Sequence, residues 1–232
     1  MNHVIMLAGG VGSRFGADIP KQYLEVGGRP VLMHSFRKFI SCPEIDTVVF
    51  VISDDWRSQV IEWLSAEKYH QKVLFAPAGK SRQHSVLNAL NALSGIAGYD
   101  DIVLVHDSVR PMFPISNISD GIAACGEYDG ALPVITVKDA IYRSVDGCFV
   151  TEVMPKDQLY AGQTPECFRF GAFFAAHAKF SDSQLGLIRG SAELAARAGL
   201  TVKLIPGTER NLKITTVEDL KTIENFMKEC GN

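Results

Sequence analysis

The chain has 232 residues, 47% of them hydrophobic and 21% charged, with a formal charge of −3 at neutral pH. Those fractions exclude collagen-like, low-complexity and disordered classes. With 23 basic against 26 acidic side chains, no wholesale basic surface for duplex nucleic acid is expected, and only a local basic pocket fits the charge.

Short apolar runs alternate with helix-like segments from the start. Val4–Leu7 reads as a strand that runs into a glycine-rich loop. Pro30 falls where the first turn of a helix accepts it, and Leu32, Phe36, Phe39 and Ile40 recur on one face of that helix. Thr47–Ile52 is a continuous strand-like run, and Trp56–Glu67 reads as helix. Lys72–Phe75 is the next strand, after which Ser81 can cap a helix whose Val86, Leu87, Leu90 and Leu93 face inward. Ile102–Val105 is wholly apolar, as buried parallel strands require. Ile115–Cys125 reads as helix, and Ala131–Ile135 and Val202–Ile205 as strands. Thr216 with Asp219 resembles a capping box, and Val217, Leu220, Ile223, Phe226 and Met227 supply the stripe of a last helix. This alternation predicts an α/β layered sandwich with a mostly parallel sheet. In such sheets ligands bind at the carboxyl ends of strands, so the loops after Leu7, Phe75 and Val105 are the places to search.

The stretch from Lys138 to Met154 breaks the rhythm. Short β-like pieces flank Asp146-Gly147, a strong hairpin signal. Two readings stand: a surface hairpin, or an arm that packs on a second subunit and so covers Ile141, Phe149 and Val153. The apolar runs, such as Val48 to Ile52, are far below a membrane span, and Met1 leads into a strand without the regions of a signal peptide. Five scattered cysteines (Cys42, Cys125, Cys148, Cys167 and Cys230) show no metal-ligand spacing and fit reduced thiols. A single-domain cytoplasmic protein over residues 1–232, without membrane or nucleic-acid partners, is expected.

The first loop, Leu7-Ala-Gly-Gly-Val-Gly-Ser-Arg-Phe-Gly16, can place successive N–H groups around phosphate oxygens. It lacks the Gly-Lys-Ser/Thr of a Walker loop and does not fit GxGxxG cleanly, so alone it is also compatible with a tight turn. Arg14 at its end and Lys21 in Pro20-Lys-Gln-Tyr-Leu24 add a planar fork and a point charge. Either cation alone would read as a solvated surface charge; together they suit a polyphosphate. Asp107 follows a buried strand and suits Mg²⁺, which needs only one or two carboxylates when phosphates and water complete its shell; capping the turn is the other reading. Arg110 can hold a second anion. Lys213 lies between Leu212 and Ile214, on the opposite side of an extended segment or on a solvent-facing edge. His34, His84 and His177 show no mutual metal or triad spacing, and Phe168, Phe170, Phe173 and Phe174 read as core.

LAGGVGSRFG, PKQYL, VHDSVRP, YAGQTPECF and NLKITTVEDLK, in that order, resemble the methylerythritol 4-phosphate and ribitol 5-phosphate cytidylyltransferases over about residues 4–227. LAGG, HDSVRP, GQTP and NLKITT look closer to the ribitol 5-phosphate branch. The resemblance implies a three-layer, Rossmann-like nucleotidyltransferase sandwich with a projecting β-hairpin arm at residues 138–154, dimerising through it. It implies transfer of CMP from CTP to a polyol phosphate, with Mg²⁺ as cofactor. By similarity, Leu7, Ala8, Gly9, Gly10, Gly12, Gly79, Arg82, Ser85 and Ser108 bind CTP. Arg14 and Lys21 stabilise the transition state, and Asp107 holds the metal. Lys213 positions the acceptor phosphate, with Arg110 nearby and Lys156 at the usual position of an acceptor-binding Arg.

Three departures fall on the acceptor side. Lys156 keeps a charge but loses the bidentate fork of Arg. Asp139-Ala140 replaces the usual Asp-Thr of the arm. Ile188-Arg-Gly-Ser-Ala192 replaces the usual acidic Thr/Ser-Asp segment. Other readings are the isoprenoid enzyme of the same family, a non-catalytic CTP-binding protein favoured by Ala140 and Gly190, and a dinucleotide oxidoreductase with Asp54-Asp55 after the second strand.

Overall fold

The computed structural model describes residues 1–10 and 19–229. In chain order its elements are β1 (Asn2–Leu7), β2 (Glu25–Val26), β3 (Arg29–Pro30), α1 (Val31–Ile40), β4 (Thr47–Ile52), α2 (Arg57–Ser65), β5 (Lys72–Pro77), α3 (Arg82–Leu93), β6 (Ile102–Asp107), α4 (Ser116–Ala124) and β7 (Gly130–Thr136). There follow β8 (Ile141–Arg143), β9 (Glu152–Met154), β10 (Tyr160–Gly162), β11 (Glu166–Arg169), α5 (Phe170–His177), α6 (Asp182–Leu187), α7 (Ser191–Arg197), β12 (Val202–Pro206) and α8 (Val217–Glu229).

The continuous apolar runs β1, β4, β5 and β6 lie side by side in the order β6-β1-β4-β5, all parallel. Their side chains alternate between two faces, as the pleat demands. Val4 and Met6 of β1 join Val48 and Phe50 of β4 and Leu104 of β6 on one face, packed by Leu32 and Phe36 of α1 and Val60 of α2. Ile5, Val49 and Val105 point the other way, onto Val86 and Leu90 of α3, Phe173 of α5 and Leu194 of α7. Three layers result, with the sheet buried on both sides.

β11 breaks the parallel order. It lies between β6 and β7 and is antiparallel to both, with Glu166 opposite Val105. Its first residue therefore comes to the carboxyl end of β6, where the α/β layout puts ligands. β7 also pairs with β10 antiparallel and β12 parallel. The sequence did not signal β11: four residues after a Thr164–Pro165 cis peptide give no period to read.

Local signals behave as expected where a named bond makes them. Ser81 accepts from the His84 amide at the start of α3. Asp219 accepts from the Thr216 amide at 2.8 Å, and Thr216 Oγ1 accepts in return from the Asp219 amide at 3.2 Å. In the α8 stripe Ile223 and Met227 are buried, but Val217 is 43% exposed because it sits on the first turn, short of the packed face. The arm is a two-stranded antiparallel ribbon, β8 on β9. Its turn is wider than Asp146-Gly147 alone implied: the Asp146 carboxylate accepts from the Cys148 and Phe149 amides at 2.9 and 3.0 Å, while Gly147 takes a φ of 74°. Among the described residues no helix is long and apolar enough to cross a membrane.

Two histidines are buried as neutral rings. Burial pushes His106 down to about 3 and His177 down to about 4. Thr164 Oγ1, which accepts from the Asp107 amide at 3.1 Å, donates to His106 Nδ1 at 3.0 Å, and His106 Nε2 donates to Ser35 Oγ at 3.2 Å. Between pH 6.5 and these values the unfolded chain binds protons that the native protein does not. Stability therefore falls as pH drops through that window, by up to ~1.4 kcal/mol per pH unit for each ring. In an NMR titration neither ring is expected to protonate between pH 8 and 5, and urea stability declines below pH 6.5; a His106 midpoint near 6.5 contradicts this. A second test concerns α4 on the sheet. A Cβ at Gly121 would lie 2.2 Å from Cys167 Sγ. Gly121→Ala is expected to lower stability by ~1–3 kcal/mol, and the Gly121→Ala/Cys167→Ala pair to lose less than the two single changes together, read from urea midpoints.

Candidate active site

The loops after β1, β5 and β6 meet over the carboxyl ends of their strands and enclose a crevice of about 460 Å³. Leu7, Gly9 and Gly10 form one wall, Gly79, Arg82 and Ser85 another, and Lys21, Asp107 and Lys213 complete it. Backbone closeness shapes it. A Cβ on Gly9 would lie 2.4 Å from Ala78 Cβ, and one on Gly79 would lie 2.5 Å from His84 Cβ and 2.7 Å from the Ser85 nitrogen. Only glycine lets the β1 loop approach Ala78, and the β5 loop fold onto the start of α3, this tightly. Ser85 turns inward, its Oγ accepting from the Gly79 amide at 2.9 Å.

The Pro20-Lys-Gln-Tyr motif does more than supply a lysine. It forms a 3-10 turn, Lys21–Tyr23, whose Gln22 amide donates to the carbonyls of Ala8 and Gly10 at 2.6 and 2.8 Å. Tyr23 Oη also donates to Ala8 O, at 2.9 Å, and its ring stacks on Trp56 at 4.1 Å. Burial raises the Tyr23 hydroxyl to about 12, so it stays a donor. These bonds hold the described part of the glycine loop and carry Lys21 to the crevice wall. Gln22 and Tyr23 were not foreseen as site residues, although their place beside Lys21 was the signal.

Asp107 is the electrostatic centre. Lys213 Nζ donates to its Oδ2 at 2.8 Å, Arg82 Nε to its Oδ1 at 3.3 Å, and Arg110 Nε lies 3.9 Å away. Burial alone would push this carboxyl up, but Arg82, Lys213 and Arg110 overcome it and hold the group well below the usual carboxylate range. Arg82 is itself shared: its Nη2 donates to Glu166 Oε2 at 2.8 Å and its Nη1 to Ser191 Oγ at 2.7 Å. Glu166, the residue that antiparallel β11 delivers here, is buried and accepts from the Ala192 amide at 2.9 Å as well. Glu166 and Ser191 gave no sequence signal, since both are distant in the chain from Arg82.

Beyond Asp107 the crevice opens into a second cavity of about 280 Å³, lined by Arg82, Asp107, Arg110, Lys213, Arg189 and Gly190 among others. Arg110 donates to Asn211 O at 2.7 Å, which ties the β6 exit to the segment that carries Lys213. The remaining expected residues divide. Ala8 lies behind the loop and is buried, as is Ser108, whose amide donates to Leu7 O at 3.2 Å; neither lines the crevice. Lys156 stands exposed at the base of the arm, its Nζ 3.5 Å from Lys138 O, away from both cavities. Arg14 and Gly12 lie outside the described residues. A larger cavity of about 620 Å³ beside α1 is lined by Arg29, Arg37 and Lys38, but the two arginines pair with Glu67 and Lys38 donates to Phe113 O. Its lining carries no carboxylate and no carboxyl end of the parallel strands. The smaller crevice is the candidate site.

An amide-rich cradle, several cations and one ionised carboxylate suit substitution at a phosphate. Comparison with known proteins agrees. Residues 2–229 match the 2-C-methyl-D-erythritol 4-phosphate cytidylyltransferase family. The enzyme of that name from Geobacter metallireducens is 38% identical over 226 residues, covering 96% of this chain and 95% of its own. The ribitol-5-phosphate cytidylyltransferase of Streptococcus pneumoniae strain D39 is 33% identical over 229 residues, 97% of each chain. Among solved structures, the 4-diphosphocytidyl-2C-methyl-D-erythritol synthase of Anaerococcus prevotii superposes with a TM-score of 0.83 at 25% identity, over 98% of this chain and 96% of that one. The Francisella tularensis 2-C-methyl-D-erythritol 4-phosphate cytidylyltransferase gives 0.81 at 27% identity, over 97% and 98%. Both acceptor branches thus match across nearly the whole sequence. The chain belongs to this family of CTP-dependent cytidylyltransferases, nucleotidyltransferases that act on a phosphorylated polyol.

Proposed function

We propose that the crevice transfers CMP from CTP to a pentitol phosphate, with ribitol 5-phosphate the preferred acceptor. The observation that carries cytidylyl transfer is the convergence on one crevice of Lys21, Arg82 and Lys213 around the Asp107 carboxylate and the β1 glycine loop. The ribitol assignment rests on the LAGG, HDSVRP, GQTP and NLKITT motifs.

In this reading a phosphate oxygen of the acceptor attacks the α-phosphorus of CTP. A new P–O bond forms as the bond to pyrophosphate breaks, and pyrophosphate leaves with its electron pair. The nucleophile is already an anion, so no covalent enzyme intermediate is required. What the reaction needs is two polyanions held together and their growing charge neutralised. Leu7, Gly9, Gly10 and Gly79, with Arg82 and Ser85, bind the nucleotide; Lys21 and Arg14 stabilise the transition state; Lys213 and Arg110 orient the acceptor phosphate.

Magnesium fits the donor set. Among the described residues no three His, Cys, Asp or Glu side chains group as a metal site, which suits an ion that arrives with the triphosphate and takes one carboxylate from the protein. Asp107, on the crevice wall, would hold it in exchange for one of its bonds to Lys213 or Arg82, and the ion would supply charge withdrawal from phosphate oxygens. The same reading makes the chain a homodimer. On the arm, Tyr142, Val145, Phe149, Val150 and Val153 are 57–82% exposed, an apolar face that a second copy would cover, and Lys156 would then serve the partner's site.

A second acceptor, 2-C-methyl-D-erythritol 4-phosphate, is favoured by the higher identity to the Geobacter metallireducens enzyme. Pyrophosphate release with CTP, Mg²⁺ and a panel of polyol phosphates separates the two: the highest kcat/KM is expected with ribitol 5-phosphate, and best activity on 2-C-methyl-D-erythritol 4-phosphate overturns that assignment. Lys21→Ala is expected to lower kcat by about 10²- to 10³-fold with the folded state retained by circular dichroism; wild-type turnover removes Lys21 from the mechanism.

A further inference from the structure

The acceptor half of the crevice carries a cation with no role in the scheme above. Arg189 and Gly190 line the second cavity beside Asp107, Arg110 and Lys213. Their backbone is fixed to the same network that holds Asp107. Glu193 accepts from the Arg189 amide at 2.9 Å and from the Gly190 amide at 3.4 Å. The next residues are held as firmly: Ser191 Oγ accepts from Arg82 at 2.7 Å, and the Ala192 amide donates to Glu166 at 2.9 Å. On the other side Ile188 is 2% exposed and anchors the segment in the core.

The side chains on this fixed backbone are unusual. Arg189 is exposed, and among the described residues its guanidinium makes no hydrogen bond or ion pair. Arg82, Arg110 and Lys213, by contrast, already share Asp107 and Glu166. The four cations that line this cavity face two carboxylates, which leaves a surplus of two positive charges. A phosphomonoester carries about −1.5 to −2 at pH 7. Gly190, in turn, is not demanded by the backbone. Its φ of −123° is open to any residue, and a Cβ there would meet nothing nearer than Glu193 at 3.8 Å. The effect of glycine is to leave space beside Arg189.

We infer that Arg189 is an acceptor-recognition residue: it offers a bidentate guanidinium to the acceptor's phosphomonoester in the cavity that Gly190 keeps open. A planar fork suits a phosphate in a way that a lysine does not. Arg189 thereby returns to the acceptor side the fork that is missing at Lys156. The inference rests on the cytidylyl-transfer reading of the same crevice and deepens it by naming what distinguishes this chain's acceptor site.

The test is steady-state kinetics of the full-length wild-type protein, Arg189→Gln and Gly190→Asp, with CTP and ribitol 5-phosphate varied in turn. Arg189→Gln is expected to raise KM for the acceptor about ten- to a hundredfold, with KM for CTP changed less than about twofold. Gly190→Asp, which places a carboxylate beside Arg189, is expected to shift the same constant in the same direction. Calorimetric titration of each variant with ribitol 5-phosphate checks the loss without turnover. An unchanged acceptor KM and affinity in Arg189→Gln overturns the inference while leaving cytidylyl transfer intact. A wild-type protein that releases no pyrophosphate with any polyol phosphate and binds none overturns both.

Discussion

The site depends on one buried arrangement of charge: Arg82 held between Asp107 and Glu166. Asp107 ends β6, Glu166 opens β11, and Arg82 begins α3. Three elements distant in sequence must be packed before any of these groups finds its partner. Left alone in the interior each would pay heavily in lost hydration, and breaking such a buried pair by removing one member costs about 3–5 kcal/mol. Assembly of the sheet and assembly of the catalytic charge pattern are therefore a single event. The network also sets the protonation state of the site, because three cations hold the Asp107 carboxyl well below the usual carboxylate range.

A different physics governs the nucleotide wall. There the wall is built by glycine backbone, which relies on geometry alone. Gly9 removes the atom that would push the β1 and β5 loops apart, Gly79 lets the β5 loop fold onto the first turn of α3, and Gln22 and Tyr23 then occupy the Ala8 and Gly10 carbonyls. With those two carbonyls engaged from behind, neither is turned toward the crevice. The same turn delivers Lys21, so one short motif both holds the cradle and supplies its charge.

What could be read from the sequence follows from which interactions are local. The β1, β4 and β6 runs were legible because a strand buried on both faces must be apolar at every position. The Ser81 cap and the Thr216/Asp219 pair were legible because their bonds close within three residues. The parallel sheet directed attention to the loops after Leu7, Phe75 and Val105, and the crevice lies there. Glu166 and Ser191 could not be found in this way, since neither has a local signature and each acquires its role from Arg82, 84 and 109 residues away. β11 was hidden for a related reason: its four residues are specified by the neighbours they pair with rather than by their own pattern. Lys156 illustrates the converse. Its motif was visible, but within one chain it stands at the base of the arm, apart from Lys213.

The two halves of the crevice differ in how freely they can change. In the proposed reading nucleotide contacts come from the glycine loops at strand ends together with Arg82 and Ser85, and a substitution in those loops would act through the loop packing. In the same reading acceptor contacts come from side chains on the segments around 110, 189 and 213; the segment around 189 is pinned through its own amides by Glu193 and Glu166, while Arg110 and Lys213 are themselves engaged by Asn211 O and Asp107. A residue such as Arg189 or Gly190 can thus be exchanged without disturbing the frame that carries it. Such a division lets one fold keep CTP as donor while its relatives bear the names of two different polyol phosphates. On that proposal identity across the whole chain says little about the acceptor, because few side chains would discriminate while most of the chain builds the frame.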